Sequence, residues 1–292
     1  MCGRSLRDRP LFQFLTNGEM AFFLCYYFPM IIDGKKIADD MCAKLKKEFS
    51  KLESPAVLTV ILVGDNAASK KFVELKERIA VDLGVEFRLN EYEPTIETAE
   101  LINEVRRLNA DRDVSGIVIQ LPLPKSIDTE SVLLSIDPSK DVDALSPDAR
   151  LAAPVLVAVR EIFKRHSINP LAGRTVVVGD GRLVGRPVAV ALATEGVDVV
   201  VVNDKTKNVP SILKTASIVI SGAGSPHFIK PEMLTQGVVL IDAGTSESKG
   251  KLAGDMDPVC AEVASLMTPV PGGVGPITVA ALFQNLLRAV QG

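Results

Sequence analysis

Three glycines mark a turn whose spacing could hold a phosphate-rich ligand. Gly179, Gly181 and Gly185 follow the apolar run 174–178, which is typical of a buried strand, and precede a segment of helical character. Glycine lets a backbone approach a pyrophosphate closely, and a helix N-terminus offers oriented N–H groups and partial positive charge. Asp204 comes 25 positions after Gly179, close to the distance at which a carboxylate binds an adenosine ribose. The turn predicts a dinucleotide site, and a simple packing turn is the alternative.

Four polar residues elsewhere could act on a bound molecule. Lys76 lies four positions after Phe72 in a helical segment, so the two side chains share a face. Gln120 ends an apolar run and is followed by a Leu-Pro-Leu-Pro turn. Asp141 and Asp143 stand two apart, and in an extended segment they would point the same way. Taken singly, each residue is more typical of a solvated surface or a loop.

The elements that would position these residues alternate between strands and helices. Apolar, β-branched runs predict strands, and apolar residues at helical spacing predict the helices between them. Such alternation implies parallel sheets with right-handed crossovers, so the fold class is α/β. In the first half we expect strands at 57–63, 86–92 and 116–120, and helices at 35–49, from 66 to about 83, at 98–108 and near 130–135. In the second half we expect strands at 174–178, 197–202, 217–220 and 238–241, and helices at 153–165, 184–193 and about 277–290.

Composition argues against several function classes. The net charge is −3 and no long basic block occurs, so electrostatic binding of nucleic acid is not expected. The four cysteines form no CxxC pair and there are two histidines, which argues against a zinc site or a disulfide framework and fits a reducing cytoplasm. No apolar run reaches the length of about 20 residues that a membrane span needs. We therefore expect a cytoplasmic protein with no metal, membrane or nucleic-acid partner.

Residues 1–29 differ from the rest of the chain, because they are rich in Phe and Tyr and lack the α/β pattern. Three arginines before an apolar stretch resemble a signal peptide, but Asn17-Gly-Glu19 interrupts the stretch and no small-residue cleavage site follows. We interpret this segment as an N-terminal extension of uncertain status, with the functional chain starting at Met30; a real anchor is the alternative. Removing residues 1–29 is then expected to leave a folded, active protein.

Several segments together resemble one known family, and their common order is more specific than any one of them. They include Gln-Leu-Pro-Leu-Pro at 120–124, Lys-Asp-Val-Asp at 140–143 and Thr-Pro-Val-Pro-Gly-Gly-Val-Gly-Pro at 268–276. Further matches lie at 31–38, 63–66, 184–187 and 254–257, and at Ser69 and Lys76. From about Met30 to the C-terminus, the chain is similar to the bifunctional methylenetetrahydrofolate dehydrogenase/methenyltetrahydrofolate cyclohydrolase family.

The resemblance implies two α/β domains flanking a cleft, the second of them a Rossmann-type dinucleotide-binding domain. A folate-binding catalytic domain would span 30–150, with helix 277–290 packing back on it, and the NAD(P)-binding domain would span 151–276. The implied catalytic residues are Lys76 and Gln120, and the implied folate contacts are Phe72, Leu121, Asp143, Pro271, Gly272 and Gly273. The implied dinucleotide contacts are Gly179, Asp180, Gly181, Gly185, Asp204 and Thr245.

The implied reaction oxidises 5,10-methylenetetrahydrofolate to 5,10-methenyltetrahydrofolate with NAD or NADP. Hydrolysis to 10-formyltetrahydrofolate could follow in the same site, with tetrahydrofolate as the carrier of the one-carbon unit. The family also implies a homodimer.

Three positions depart from the family pattern. Phe72 stands where the family has tyrosine, so a hydroxyl is missing and hydrolysis is expected to be weak relative to dehydrogenation. Asp180 replaces an arginine and Asp204 a serine, and two carboxylates would repel the 2′-phosphate of NADP. The sequence therefore favours NAD, with Arg182 and Lys205 as counter-evidence because either cation could attract that phosphate.

Two other functions fit part of the pattern. A shikimate-type Rossmann dehydrogenase would explain the glycine turn and Ser221-Gly-Ala-Gly-Ser225, but it would leave the Leu-Pro-Leu-Pro turn and the loop at Pro271 unexplained. A non-catalytic paralogue that binds folate or NAD would explain the missing tyrosine.

Overall fold

The computed structural model describes residues 12–16, 19–23, 29–248 and 251–292, with only the backbone described for 12–16, 19–23, 247, 248 and 251. Two N-terminal strands, β1 (Phe12–Thr16) and β2 (Glu19–Phe23), pair antiparallel. Residues 1–29, which we interpret from the sequence as an N-terminal extension, lie largely outside the described residues. A two-residue strand, β3 (Met30–Ile31), opens the continuous part of the chain.

The next elements form a first α/β unit: α1 (Gly34–Phe49), β4 (Val57–Val63), α2 (Ala67–Leu83), β5 (Glu86–Tyr92), α3 (Thr98–Ala110), β6 (Gly116–Ile119) and α4 (Thr129–Leu134). Strand β4 is the middle of a three-stranded parallel sheet of order β5-β4-β6, and all seven of its residues are buried. That position explains its nearly continuous apolar sequence. Helix α2 begins where Asn66 accepts the Ser69 N–H and ends at Gly84, whose φ is 75°.

A second α/β unit follows: α5 (Pro154–Arg165), β7 (Thr175–Val178), α6 (Gly185–Thr194), β8 (Val199–Val202), α7 (Val209–Leu213), β9 (Ile218–Ser221), β10 (Val238–Asp242), β11 (Ser246–Ser248), β12 (Lys251–Ala253), β13 (Ala264–Met267) and α8 (Val274–Gln291). Its main sheet is parallel and six-stranded, in the order β3-β13-β10-β9-β7-β8. Strands β11 and β12 form a small antiparallel ribbon. The predicted α/β class is confirmed.

Helix α8 ties the two units together. It packs against α1 and α5. Ile277 and Ala281 belong to the core on one face of the six-stranded sheet, whereas Phe283 and Leu286 belong to the core against the three-stranded sheet. A helix with apolar residues all round is expected where both sides are buried.

Two strands of the larger sheet, β3 and β13, were not predicted from the sequence. Strand β13 reads Ala-Ser-Leu-Met and contains no β-branched residue, so it carries little strand signal. Strand β3 pairs with β13, which places Met30 and Ile31 in the second sheet although the sequence assigned residue 30 to the first domain.

The described residues were also searched for membrane-spanning helices and for metal sites, both of which the sequence argues against. No helix there is both long and apolar enough to cross a membrane. The same residues contain no group of three His, Cys, Asp or Glu side chains that could hold a metal ion. Cys42 and Cys260 carry free thiols.

Candidate active site

A cavity of about 720 Å³ lies between the two units. One side, here called the lysine wall, is formed by Phe72, Lys76, Gln120, Leu121 and Asp143. The opposite side, here called the glycine wall, is formed by residues 181–184, 222–224 and 243–245. A second cavity of about 370 Å³ shares residues of both walls and extends to the loop at 269–276. The predicted cleft between two α/β units is therefore present, and it is lined on both sides by predicted site residues.

Lys76 and Gln120 form a buried hydrogen-bonded pair on the lysine wall. Lys76 projects from α2, and Gln120 follows the last residue of β6. The Lys76 Nζ donates to Gln120 Oε1 over 2.8 Å, and Gln120 Nε2 donates to the Leu121 carbonyl over 2.8 Å. Because both ends of the glutamine amide have partners, its orientation is fixed. The ammonium group is thus aimed by a neighbour that is itself held in place.

Asp143 supplies the opposite charge in the same cavity. Burial lowers the pKa of Lys76, and the negative charge of Asp143 opposes that shift. Burial also raises the pKa of Asp143; the charge of Lys76 opposes this rise and that of Asp141 adds to it. Both groups are therefore pushed toward their neutral forms. Groups whose charged forms are destabilised in this way are candidates for the proton transfers that acid–base catalysis requires.

Asp141 and Asp143 lie in a turn rather than in an extended segment, and their carboxylates have different surroundings. Asp141 makes an isolated β-bridge to Ile117, and its buried carboxylate accepts the N–H groups of Leu145 and Ser146 over 3.2 and 2.8 Å. The chain then turns, and Ala144 has a φ of 52°. Asp141 stabilises this turn, and only Asp143 faces the cavities.

Phe72 lies one helical turn before Lys76 on α2 and lines both cavities. It is 37% exposed, so its ring edge is open to a ligand. Ser69 lies a further turn back in the larger cavity, and its buried Oγ has no hydrogen-bond partner in the described part of the chain. The lysine wall therefore combines an apolar ring with an unused hydroxyl beside the Lys76–Gln120 pair.

The glycine turn has the shape that a dinucleotide phosphate needs. Gly179 has a φ of 94°, and a Cβ at Gly185 would lie 1.9 Å from the Gly179 carbonyl oxygen, so neither position tolerates a side chain. Helix α6 begins at Gly185 without a side-chain cap on its N-terminal N–H groups. Gly181 and Thr245 line the larger cavity. A pyrophosphate could approach this backbone closely, but the Arg186 N–H already donates to the Gly181 carbonyl over 3.0 Å and Pro187 has no N–H, so the end of α6 offers it fewer donors than a helix N-terminus usually does.

The remaining predicted residues fall into two groups. Pro271, Gly272 and Gly273 line the smaller cavity. Asp180 and Asp204 are exposed and line neither cavity. Asp180 Oδ2 accepts the Nδ2–H of Asn203 over 3.0 Å, which links the glycine turn to the end of β8.

Several lining residues were missed from the sequence. Residues 222–224 and 243–244 form much of the glycine wall, and the available signal was the Ser-Gly-Ala-Gly-Ser composition at 221–225. Arg182 lines both cavities and forms an ion pair with Glu130 of α4, which belongs to the other α/β unit. No local pattern foretells that pair, since the partners are far apart in sequence.

Comparison with known proteins agrees with this geometry. Residues 32–143 match the family model for the tetrahydrofolate dehydrogenase/cyclohydrolase catalytic domain, and residues 153–292 match that for its NAD(P)-binding domain. The bifunctional protein FolD of Hydrogenobaculum is 37% identical over 89% of this chain and 98% of its own length.

Two solved structures have the same architecture. The FolD methylenetetrahydrofolate dehydrogenase/cyclohydrolase of Campylobacter jejuni has a TM-score of 0.87 at 32% identity, covering 90% of this chain and 98% of its own. The Trypanosoma brucei enzyme, complexed with NADP and an inhibitor, has a TM-score of 0.84 at 33% identity, covering 90% and 97%. Because both halves of the chain match domains of this one family, the alternative of a shikimate-type dehydrogenase is not favoured. The chain belongs to the tetrahydrofolate dehydrogenase/cyclohydrolase family.

Proposed function

We propose that this protein oxidises 5,10-methylenetetrahydrofolate to 5,10-methenyltetrahydrofolate with a nicotinamide dinucleotide, and that it prefers NAD to NADP. The observation that carries the proposal is the cavity itself, in which the buried Lys76–Gln120 pair faces a glycine-lined dinucleotide turn. Residues 30–150 would bind the folate and residues 151–276 the dinucleotide, and the ranges matched by the two family models support this division.

Hydride transfer makes modest demands on the protein's side chains. The bound nicotinamide supplies the hydride acceptor. The chain must hold the two rings together, exclude water and tolerate the positive charge that develops on the folate. A lysine whose pKa is lowered by burial is more readily neutral beside a developing cation. Asp143, on the same wall, can accept hydrogen bonds from the N–H groups of a pterin.

Hydrolysis of the methenyl product demands more, because water must be deprotonated and a ring nitrogen protonated. Neutral Lys76 can accept the proton, and Gln120 keeps its Nζ in place. Phe72 cannot donate or accept a hydrogen bond at the position one turn before this lysine. We therefore propose that hydrolysis accompanies oxidation but is the weaker activity.

The preference for NAD is supported by the charges around the glycine turn. Asp180 is held at the turn by Asn203, and Asp204 follows directly after Asn203 at the end of β8. A 2′-phosphate with nearly two negative charges would be repelled by both carboxylates. Of the two cations that could offset them, Arg182 is paired with Glu130, whereas Lys205 is exposed beside Asp204 and remains the counter-evidence.

The proposal is tested by assaying the purified protein with 5,10-methylenetetrahydrofolate and either NAD or NADP, following the reduced nicotinamide. We expect folate-dependent reduction with both dinucleotides and a higher kcat/KM with NAD. Reduction that requires shikimate rather than the folate would overturn the proposal. Folate or dinucleotide binding without turnover would favour the non-catalytic paralogue.

Two further properties follow from the resemblance. We propose that the protein is a homodimer, which sedimentation at micromolar concentration would test by a mass twice that of one chain. We also propose a cytoplasmic location, which the absence of paired cysteines in the sequence pattern supports and cell fractionation would test.

A further inference from the structure

Two carboxylates lie behind the backbone of the glycine wall. Asp242 ends β10 and is 2% exposed, and Asp255 follows β12 and is fully buried. Neither has an ion-pair partner within the ranges that the structure describes. Burying charges without a cation is costly unless hydrogen bonds replace the lost water. These two groups therefore depend on the backbone around them.

Asp255 binds the first loop of the glycine wall. Its Oδ2 accepts the Ser221 hydroxyl and the Ala223 N–H, and its Oδ1 accepts the Ser225 N–H, all over 2.7 Å. The residues between these donors, 222–224, line the larger cavity. Asp255 itself lines neither cavity. Asp255 can therefore influence a ligand in the larger cavity only through the backbone of the residues that it holds in place.

Asp242 binds the second loop and also Asp255. Its Oδ1 accepts the N–H groups of Gly244 and Asp255 over 3.0 and 3.2 Å, and its Oδ2 accepts that of Met256 over 2.8 Å. Gly244 lies in the glycine wall, and Asp242 also borders the smaller cavity. The two carboxylates and the six groups that donate to them thus form one connected hydrogen-bond network.

Glycines make room for this network. A Cβ at Gly244 would lie 2.3 Å from the Asp255 carboxyl carbon, and one at Gly254 would lie 2.2 Å from an oxygen of Asp242. Both distances are too short for a side chain. The loops can close over the carboxylates only because these positions are glycine, so the local sequence matches a network of this shape.

We propose that Asp255, supported by Asp242, is a positioning residue for the dinucleotide, because it fixes the backbone of residues 222–224 at the cavity wall. It would set the affinity for the dinucleotide and leave the chemical step unchanged. The inference rests on the proposed function in one respect, that the dinucleotide occupies the glycine wall.

The test is Asp255→Asn in the full chain. An asparagine presents one N–H₂ group where the carboxylate accepted, and neither the Ala223 nor the Ser225 N–H can reverse to meet it. Losing a hydrogen bond to a charged acceptor should raise the KM and the calorimetric Kd for NAD about tenfold or more. The kcat and the KM for the folate should change less than about twofold.

Asp257→Asn is the matched control. Asp257 lies two residues further along the same segment, but its carboxylate accepts the Val259 N–H and pairs with Lys230, away from both cavities. This variant should keep the wild-type KM for NAD. A purely structural effect of losing any aspartate in this segment would appear in both variants.

Hydrogen exchange gives a second measurement that does not depend on turnover. In Asp255→Asn the amides of Ala223 and Ser225 should exchange faster, while those of β7, β9 and β10 stay protected. A wild-type KM and Kd for NAD in Asp255→Asn would overturn the proposal, whether or not these amides exchange faster. If Asp255→Asn does not fold, Asp242→Asn is judged by the same KM criterion, with exchange measured at Gly244.

The outcomes separate this inference from the proposed function. If wild type oxidises the folate and Asp255→Asn binds NAD equally well, only the positioning role is wrong. If wild type binds neither NAD nor NADP, the proposed function is wrong, and the positioning role falls with it.

Discussion

The lysine wall and the glycine wall face the same cavity but are built in opposite ways. The lysine wall presents side chains, with Lys76, Gln120 and Asp143 placed directly against the ligand space. The glycine wall presents mainly backbone apart from Arg182, and two carboxylates, Asp242 and Asp255, lie behind it. We interpret this difference as a division of labour. The lysine wall carries the groups that could transfer protons, and the glycine wall fixes the shape of the space for the dinucleotide.

Burial shifts pKa values beside both walls, since it also raises the pKa of Asp242, but the partners of the buried groups differ. On the lysine wall it shifts the pKa values of Lys76 and Asp143 toward their neutral forms, which is useful for chemistry. On the glycine wall the buried carboxylates are surrounded by N–H donors that fix the loops. Changing a side chain should therefore affect rates on the lysine wall and affinity on the glycine wall.

The largest expected effect is on the lysine wall. Lys76→Met removes the group that accepts a proton from water, so hydrolysis of 5,10-methenyltetrahydrofolate should fall by about a hundredfold or more. Lys71→Met, at an exposed position of the same helix, is the control and should keep the wild-type rate. Hydrolysis by Lys76→Met at the wild-type rate, measured by loss of methenyl absorbance, would show that the assignment is wrong.

A smaller effect is expected from restoring the missing hydroxyl. Phe72→Tyr should raise the hydrolysis rate about ten- to a hundredfold, because a hydrogen bond to a charged group contributes roughly 1.5–3 kcal/mol. The rate of folate oxidation should change little. Phe72→Leu, which adds no hydroxyl, should show no such rise; an equal rise in both variants would contradict the explanation.

Much of the lysine wall could be predicted from sequence, and much of the glycine wall could not. Lys76, Gln120 and Phe72 were named because their motifs resemble the family, whereas the local pattern around Lys76 or Gln120 alone favoured a solvated surface or a turn. Residues 222–224 acquire their role from a carboxylate more than thirty positions away, which local pattern cannot reveal. The pair Asp141 and Asp143 shows the same limit, because the turn over 141–144 gives two identical side chains different surroundings.

The fold shows this contrast as well. Strand β4 and the helices around it were readable from hydrophobic periodicity alone. Strands β3 and β13 owe their existence to pairing with each other and with β10, and their own sequences give little signal.

Cofactor preference should respond to the charges beside the glycine wall. Asp204→Ser should shift the ratio of kcat/KM for NADP over NAD by about tenfold toward NADP, since an exposed carboxylate acts through a partly screened repulsion. Asp198→Ser, an exposed carboxylate preceding β8 at its other end, is the control. An unchanged ratio in Asp204→Ser would show that another residue discriminates between the dinucleotides.

The smallest expected effect is a pH dependence of stability from the glycine wall. Burial raises the pKa of Asp242 from 3.8 to about 6, against the lowering effect of three backbone N–H groups and with a contribution from Asp255. Because the folded protein then binds this proton more tightly than the unfolded chain, the stabilisation is fully present below about pH 4 and is lost as the pH rises through about 6.

The direction of this pKa shift predicts how the stability of Asp242→Asn, whose side chain cannot titrate, should differ from that of wild type. Between about pH 7 and about pH 5, the free energy of unfolding of wild type should increase by about 1 kcal/mol relative to the variant. Denaturant unfolding at both pH values measures the difference. Parallel pH profiles for the two proteins would contradict the raised pKa of Asp242.

The division of labour between the two walls is tested most directly by the calorimetric Kd for NAD in Lys76→Met and in Asp255→Asn. We expect Lys76→Met to bind NAD within about twofold of wild type, and Asp255→Asn to bind it about tenfold more weakly or worse. Equal losses of NAD affinity in the two variants, or a loss in Lys76→Met alone, would contradict the account.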